Sequence, residues 1–260
     1  MLRRKQSIKS NDEWLRAFED CLSNVSEERT DYLTEQAVDR IRAVRDKACC
    51  NGWIAGKDSI VVQDLIERSG IHSTPIMWRG VNEYPAMSRW IEENRPEGLA
   101  FSIVGKFTLE YIEEHPGFLF CQGGNEYRQK WMAEKWKTQR KDIDRFDVFI
   151  TGRRIMDGNQ CGKADDGFMK GKALSPIADW THEELLAYIR RRRISLPPFY
   201  GWPRGFLLGS VAMGEWTERP TMGLTVDEVW DELSMIDGSI VESAASTLTS
   251  AREYLERRSA

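Results

Sequence analysis

The stretch Asn51-Gly-Trp-Ile-Ala-Gly-Lys-Asp-Ser59 decides the fold. It follows an apolar, strand-like segment that starts at Ala48, and apolar residues with helical spacing come after it and stop at Gly70. The order is therefore strand, tight loop and helix. In such a unit the backbone N–H groups at the start of the helix, together with the helix dipole, can hold an anion.

The side chains of this loop suit a phosphate group. Gly56 permits close approach of the backbone, Lys57 supplies a compact positive charge, and Ser59 places a hydroxyl at the helix start. Asp58 supplies a carboxylate that could orient Mg²⁺ or a backbone amide. The Walker pattern is not met, because only three residues separate Gly52 from Gly56. The alternative is a polar turn that caps a helix.

Short apolar runs alternate with helical patterns along the rest of the chain, which predicts an α/β fold with a doubly wound, mostly parallel sheet and helices on both faces. Two amphipathic helices come first, the earlier one opened by a capping box of Ser10 and Glu13. We expect a helical N-terminal extension over 1–46, an α/β domain over 47–233 and a helical C-terminal tail over 234–260. The further predicted strands are Pro75–Trp78, Leu99–Val104 and Val148–Thr151.

Composition excludes several classes of protein. The 260 residues are 41% hydrophobic and include ten tryptophans, which argues against wholesale disorder. No run approaches the roughly 20 apolar residues of a membrane helix, and we expect a cytoplasmic protein without a membrane partner. Five cysteines without a C-x-x-C pair and three scattered histidines support neither a disulfide scaffold nor a zinc site.

The charges are balanced, at 37 basic and 41 acidic residues, so a nucleic-acid site would have to be local. Two basic clusters, Arg190–Arg193 and the helical pattern Tyr127–Lys141, are either solvated helix faces or grips for a polyanion. Arg153 and Arg154 follow a predicted strand, where ligands bind in open α/β sheets. Lys163 lies in the predicted loop Gly158–Lys172, which could fold over a nucleotide.

Ile54-Ala-Gly-Lys-Asp-Ser59 resembles the SGGKDS signature of the PP-loop, or adenine nucleotide alpha hydrolase, superfamily. Four of the six positions match. Further segments, which follow in the same order and with the loop span about 150 residues, resemble the phosphoadenosine phosphosulfate reductase branch of that superfamily. These segments are Gly80–Pro85, Thr151–Arg154, Pro176–Thr181 and Leu196–Tyr200.

The resemblance implies that 47–233 is a PP-loop domain that binds ATP or phosphoadenosine phosphosulfate, with Mg²⁺, and that acts at the α-phosphate by adenylation or by sulfur-group transfer. It implies catalytic roles for Lys57, Asp58 and Arg154, with Asp58 also as the metal ligand. A small-molecule acceptor is preferred over a nucleic acid, and the helical ends offer contact surfaces for a homo-oligomer. The implied nucleotide-binding residues are Ala55, Gly56, Lys57, Asp58, Ser59, Gly80, Gly152, Arg153, Arg154 and Lys163.

The chain departs from the reductase pattern in its cysteines. Sulfonucleotide reductases carry a nucleophilic cysteine in a C-terminal segment, and no cysteine follows Cys161 here. Cys161 is either a displaced nucleophile or an incidental thiol. Paired cysteines for an iron–sulfur cluster are also missing, and we expect no such cluster. Because Ile54 and Ala55 replace the Ser and Gly of the signature, two alternatives stay open: a nucleotide-binding regulator or subunit without turnover, and a nucleic-acid base-modifying enzyme.

Overall fold

A computed structural model describes residues 10–104, 107–209 and 214–260. Its described helices and strands alternate through the middle of the chain. The helices are α1 Asn11–Asn24, α2 Glu27–Arg42, α3 Lys57–Ser69, α4 Pro85–Asn94, α5 Leu109–Glu114, α6 Gly124–Ile143, α7 His182–Arg192, α8 Gly205–Leu208, α9 Val226–Ala245 and α10 Thr249–Ser259. The strands are β1 Cys49–Gly52, β2 Thr74–Arg79, β3 Ala100–Ile103, β4 Val148–Ile150, β5 Met169–Lys170 and β6 Ala173–Leu174.

The strands of the described residues form one sheet of order β3-β2-β1-β4-β6-β5. β1 pairs in parallel with β2 and with β4, and β4 pairs in parallel with β6. In register, Cys50 lies beside Thr74 on one side and Phe149 on the other. The order runs outward from β1 to β3 and then returns to β4 on the other side of β1. The carboxyl ends of β1 and β4 therefore flank a topological switch point, where open α/β sheets bind ligands.

The predicted mostly parallel α/β fold with surrounding helices is thus confirmed. One local prediction was wrong: Gly158–Lys172 is not all loop, because β5 lies inside it and pairs antiparallel with β6. A two-residue strand is too short to show the alternation by which a strand is recognised.

The described residues divide into two compact units, whose boundaries differ from those expected. The first unit comprises the described parts of Met1–Met77, Asn94–Phe101 and Arg140–Pro197; the second comprises those of Trp78–Glu93, Ser102–Gln139 and Pro198–Ala260.

The first unit contains α1 and α2. α2 buries Leu33, Val38 and Ile41 in the same apolar cluster as Leu65 of α3 and Ile150 of β4. Burial of each such side chain stabilises the fold by about 1.5–3 kcal/mol, so α2 is part of the core. Helical periodicity predicts which face of a helix is buried, but it does not say what covers that face.

The second unit contains the C-terminal helices. The expected boundary at residue 234 falls inside α9, which has one non-helical residue at Asp237 (φ −163°, ψ 103°). Trp230 of α9 is fully buried against Phe120, with ring centroids 4.8 Å apart. Glu232 of α9 pairs with Arg204 and with Arg219, whose Nε lies 2.8 Å from the carboxylate. α9 is therefore packed into its unit by apolar and ionic contacts.

No helix in the described part of the chain has the length and apolar character that a membrane crossing requires. The five cysteines are free thiols.

Candidate functional site

The loop between β1 and α3 has the backbone of a tight, strained turn. Ala55 is fully buried and adopts the left-handed conformation, with φ +55°. This conformation is uncommon for residues with a Cβ and costs about 1–2 kcal/mol. The PP-loop signature has glycine at this position, and Ala55 keeps a conformation that suits glycine.

Ser59 fixes the shape of this loop from inside. Its Oγ accepts a hydrogen bond from the N–H of Ile54 at 3.3 Å and donates one to the carbonyl oxygen of Gly56 at 2.8 Å. The first bond ties the start of the loop to α3, and the second lies within the first turn of that helix. The structure therefore gives the Ser59 hydroxyl a role within the loop.

The amino end of α3 has no side-chain cap, as is also the case for α8 and α10 among the described helices. Gly56 is its N-cap residue, and no side chain caps it. Serine or threonine hydroxyls accept first-turn N–H groups at the amino ends of α1, α2, α5, α7 and α9. First-turn N–H groups have no partner within the helix, so an uncapped amino end favours an anion.

Lys57 is the first residue of α3 and is nearly buried. Its Nζ lies 2.7 Å from Oδ2 of Asp58 and 5.3 Å from the ring centroid of Trp14 in α1. A cation over an indole face is attracted to the ring, and more so when water is excluded. The ammonium group is therefore held in place from two sides.

Asp58 lies between two cations. Its Oδ1 is 2.8 Å from Nε of Arg154, opposite the contact with Lys57, and 26% of its side chain is exposed. Burial by itself would raise the pKa of Asp58, but the charges of Lys57 and Arg154 outweigh burial and lower the pKa. Asp58 is therefore charged at neutral pH.

Arg154 is fully buried, at 0% exposure, and its guanidinium contacts protein groups on every side. Besides the ion pair with Asp58, Nη1 donates to the carbonyl oxygen of Thr181 and Nη2 donates to Oδ1 of Asp157, each at 3.1 Å. Nη2 also donates to Nδ1 of His182 at 3.1 Å. Because arginine can only donate, Nδ1 of His182 must accept, and the geometry assigns the neutral imidazole proton to Nε2.

Asp157 is the second carboxylate beside Arg154. Burial, aided by the charge of Asp58, raises its pKa above the usual value, while Arg154 opposes that rise. The two carboxylates share one guanidinium and have pKa values shifted in opposite directions.

Gly152 brings the end of β4 against α3. A Cβ on Gly152 would lie 2.9 Å from the carbonyl carbon and oxygen of Asp58, closer than real Cβ contacts allow. Absence of a side chain therefore lets the loop after β4 touch the first turn of α3. This contact joins the two sides of the switch point.

The structure brings together Ala55, Gly56, Lys57, Asp58, Ser59, Gly152 and Arg154 among the residues expected at the site. Arg153 and Lys163 belong to the same unit and are exposed. Lys163 precedes a short 3-10 helix, Ala164–Asp166.

Gly80 belongs to the second unit, where it packs on a carboxylate. A Cβ on Gly80 would lie 1.9 Å from the carboxyl carbon of Glu215. Oε1 of Glu215 accepts the N–H groups of Val81 at 2.8 Å and of Asn82 at 3.0 Å. Within this unit Gly80 makes room for Glu215, and a contact with nucleotide stays a prediction.

The surroundings of Asp58 do not allow it to act as a ligand of Mg²⁺. Each of its oxygens already lies within 2.8 Å of a cationic nitrogen. A Mg²⁺ ion would have to displace one of these cations and would be repelled by both. Among the described residues no group of three or more His, Cys, Asp or Glu side chains is placed to hold a metal ion.

Sequence reasoning missed three residues of the site: Trp14, Asp157 and His182. Asp157 had a usable signal, since it follows Arg154 by three residues, and His182 comes directly after the helix-capping Thr181. Trp14 is 43 residues from Lys57, and no local pattern joins them.

No family model and no curated protein matches the chain. Solved structures similar to this chain include phosphoadenylyl-sulfate (PAPS) reductase from Candida auris, 16% identical, over 67% of this chain and 90% of that chain, with a TM-score of 0.48. They also include NMN synthetase from Francisella tularensis, 14% identical, over 86% of this chain and 95% of that chain, with a TM-score of 0.42.

Proposed function

We propose that residues 55–59 bind the phosphate groups of an adenine nucleotide, ATP in preference to a sulfonucleotide, and that the protein acts at the α-phosphate. One observation carries this proposal. The uncapped amino end of α3, with Lys57 as its first residue, lies at the switch point between β1 and β4. The match of this loop to the PP-loop signature supports the adenine nucleotide as the ligand.

In this proposal Lys57 contacts a phosphate directly, and Asp58 and Arg154 act through it. Asp58 is paired with Lys57, and the buried Arg154 fixes Asp58. Arg154 has 0% exposure, so we assign it a positioning role and not the direct phosphate contact expected from sequence. Asp58 is assigned no metal, because both its oxygens face cations.

The proposed reaction is adenylation of an acceptor. A nucleophilic atom of the acceptor bonds to the α-phosphorus, the bond from that phosphorus to the bridging oxygen breaks, and pyrophosphate leaves with the electron pair. Such transfer depends on positioning and on neutralising charge, which the amino end of α3 and Lys57 would supply.

The cysteines favour adenylation over sulfur-group transfer. Attack on sulfur needs a thiolate. Burial raises the pKa of the Cys161 thiol, and the charges of Arg153 and Lys170 offset this only in part. The thiol of Cys161 is therefore protonated at neutral pH, which argues against it as a displaced nucleophile.

The contacts of the Arg190–Arg193 cluster favour a small-molecule acceptor. Arg190 donates to the carbonyl oxygens of Phe18 and Glu19, and Arg191 donates to that of Val25. These guanidinium groups already serve the packing of α7 on α1, so they are poorly suited to grip a nucleic acid.

The second basic cluster has similar internal partners. In α6, Lys130 pairs with Glu126 at 2.9 Å, and Lys135 lies 3.3 Å from the buried Glu218. Ion pairs with acidic neighbours reduce the positive potential that a polyanion would find.

An assay of pyrophosphate release from ATP, with small nucleophiles and with RNA as separate acceptors, tests the proposed reaction. We expect release that depends on a small acceptor, is lost in Lys57→Met and persists in Lys47→Ala. Lys47 is an exposed lysine at the opposite, amino end of β1. ATP binding without release in the presence of any acceptor would instead support a regulator, and release only with RNA would support a base-modifying enzyme.

A further inference from the structure

Both ends of α1 are fixed by polar contacts. At its start, Ser10 and Glu13 form a reciprocal capping box, with the Glu13 N–H 3.2 Å from the Ser10 hydroxyl. At its end, Arg190 and Arg191 of α7 donate to carbonyl oxygens of Phe18, Glu19 and Val25. α1 is thereby held along α7, which begins at the site with His182.

Trp14 is the residue of α1 that reaches the site. Trp14 is 8% exposed, and its indole packs edge-on against His182, with ring centroids 4.6 Å apart and planes at 72°. The same ring lies 5.3 Å from Nζ of Lys57. Trp14 thus touches both ends of the series of contacts that runs from Lys57 through Asp58 and Arg154 to His182.

We propose that Trp14 is a positioning residue for Lys57, and that α1 is thereby a working part of the nucleotide site. Lysine has a flexible four-carbon stem, and the contact with Asp58 is made at its ammonium tip. The indole face limits where the stem and the ammonium can go, so the Lys57 side chain is already ordered when a phosphate binds. Only the contact between the ordered Lys57 and a phosphate rests on the proposed function, because Trp14 orders Lys57 without a nucleotide.

Chemical labelling of lysines, read by mass spectrometry, tests the ordering without any nucleotide. In the wild type we expect Lys57 to react slowly with an amine reagent and the exposed Lys163 to react fast. Trp14→Leu should speed labelling of Lys57 several-fold and leave Lys163 unchanged. Leu15→Ala, an exposed residue of the same helix, is the matched control and should leave both rates unchanged. Equal Lys57 rates in the wild type and Trp14→Leu would overturn the proposal.

Calorimetry with ATP tests the consequence for binding. A long side chain that must be ordered on binding costs about two- to tenfold in affinity, so Trp14→Leu should lose up to that factor, and Trp14→Phe, which keeps a ring face, should lose less. In a Lys57→Met background, Trp14→Leu should change the affinity no further, because its effect passes through Lys57. A full additional loss in the double variant would contradict a positioning role and indicate a general structural one.

The two measurements separate the two claims. Absence of ATP binding by the wild type would reject the proposed function, while the labelling rates would still decide whether Trp14 orders Lys57. Should Trp14→Leu fail to fold, Trp14→Phe is used in both tests. We then expect Lys57 to be labelled faster in Trp14→Phe than in the wild type, and an equal rate would overturn the proposal.

Discussion

Arg153 and Arg154 are neighbours in sequence and occupy opposite environments. The side chain of Arg153 is exposed, whereas that of Arg154 is fully buried and contacts Asp58, Asp157, Thr181 and His182. A buried charge is stable only when it is paired and hydrogen-bonded. Arg154 therefore sets the shape of the site, whatever the ligand is.

Replacement of these two arginines should have very different effects on stability. Arg154→Ala leaves the carboxylates of Asp58 and Asp157 without their shared cation, and we expect a loss of about 3–5 kcal/mol in the free energy of unfolding. Arg153→Ala should stay within about 0.5 kcal/mol of the wild type, as a surface change does. Chemical denaturation measures both. A loss below about 1 kcal/mol in Arg154→Ala would show that the network is not structural.

Individual residues were predictable where a local pattern marked them. The loop residues Ala55 to Ser59 could be found because strand, loop and helix are consecutive in sequence. Burial of Arg154 beneath Asp58 could not, because its partners come from three separate segments of the chain. The sequence suggested a phosphate contact for Arg154, whereas in the structure the Arg154 guanidinium is paired with Asp58 and Asp157.

At the scale of elements, the site depends on how closely β4 approaches α3. Gly152 follows β4 and lies so close to the backbone of Asp58 that its position has no space for a Cβ. Flexible side chains can move aside, but here the neighbour is the first turn of a helix. The approach of these two elements is therefore sensitive to a single methyl group.

Gly152→Ala should push the first turn of α3 away from β4. We expect a loss of about 1–3 kcal/mol in stability, typical of overpacking, together with weaker ATP binding. Gly201→Ala is the matched control, because Gly201 has open space around its Cβ position and no left-handed backbone. Unchanged melting temperature and affinity in Gly152→Ala would mean that the contact between β4 and α3 is loose.

Elements were predicted well where periodicity and caps coincide. The capping box at Ser10 and the left-handed Gly70 that ends α3 (φ +72°) both occur as expected. Very short strands such as β5 gave no signal, and the place of α1 beside Lys57 depends on long-range packing. The sequence therefore predicted α1 as part of a separate extension and gave no sign that Trp14 lies beside Lys57.

At the scale of the molecule, the chain is two compact units, and the described site lies within the first. Every contact among Trp14, Lys57, Asp58, Arg154 and His182 is made inside this unit. The proposal that phosphate binds where α3 begins, with Lys57 supplying the charge, is therefore confined to this unit.

Calorimetric titration of ATP into the wild type, Lys57→Met and Lys47→Ala tests this claim most directly. Methionine keeps an unbranched, mostly apolar side chain of similar size and removes the ammonium group. One charge-assisted contact is worth about 1.5–3 kcal/mol, so Lys57→Met should bind ATP about tenfold to a hundredfold more weakly, with Lys47→Ala unchanged. Equal affinities in all three proteins, or no binding by the wild type, would contradict the assignment of residues 55–59 as a phosphate-binding loop.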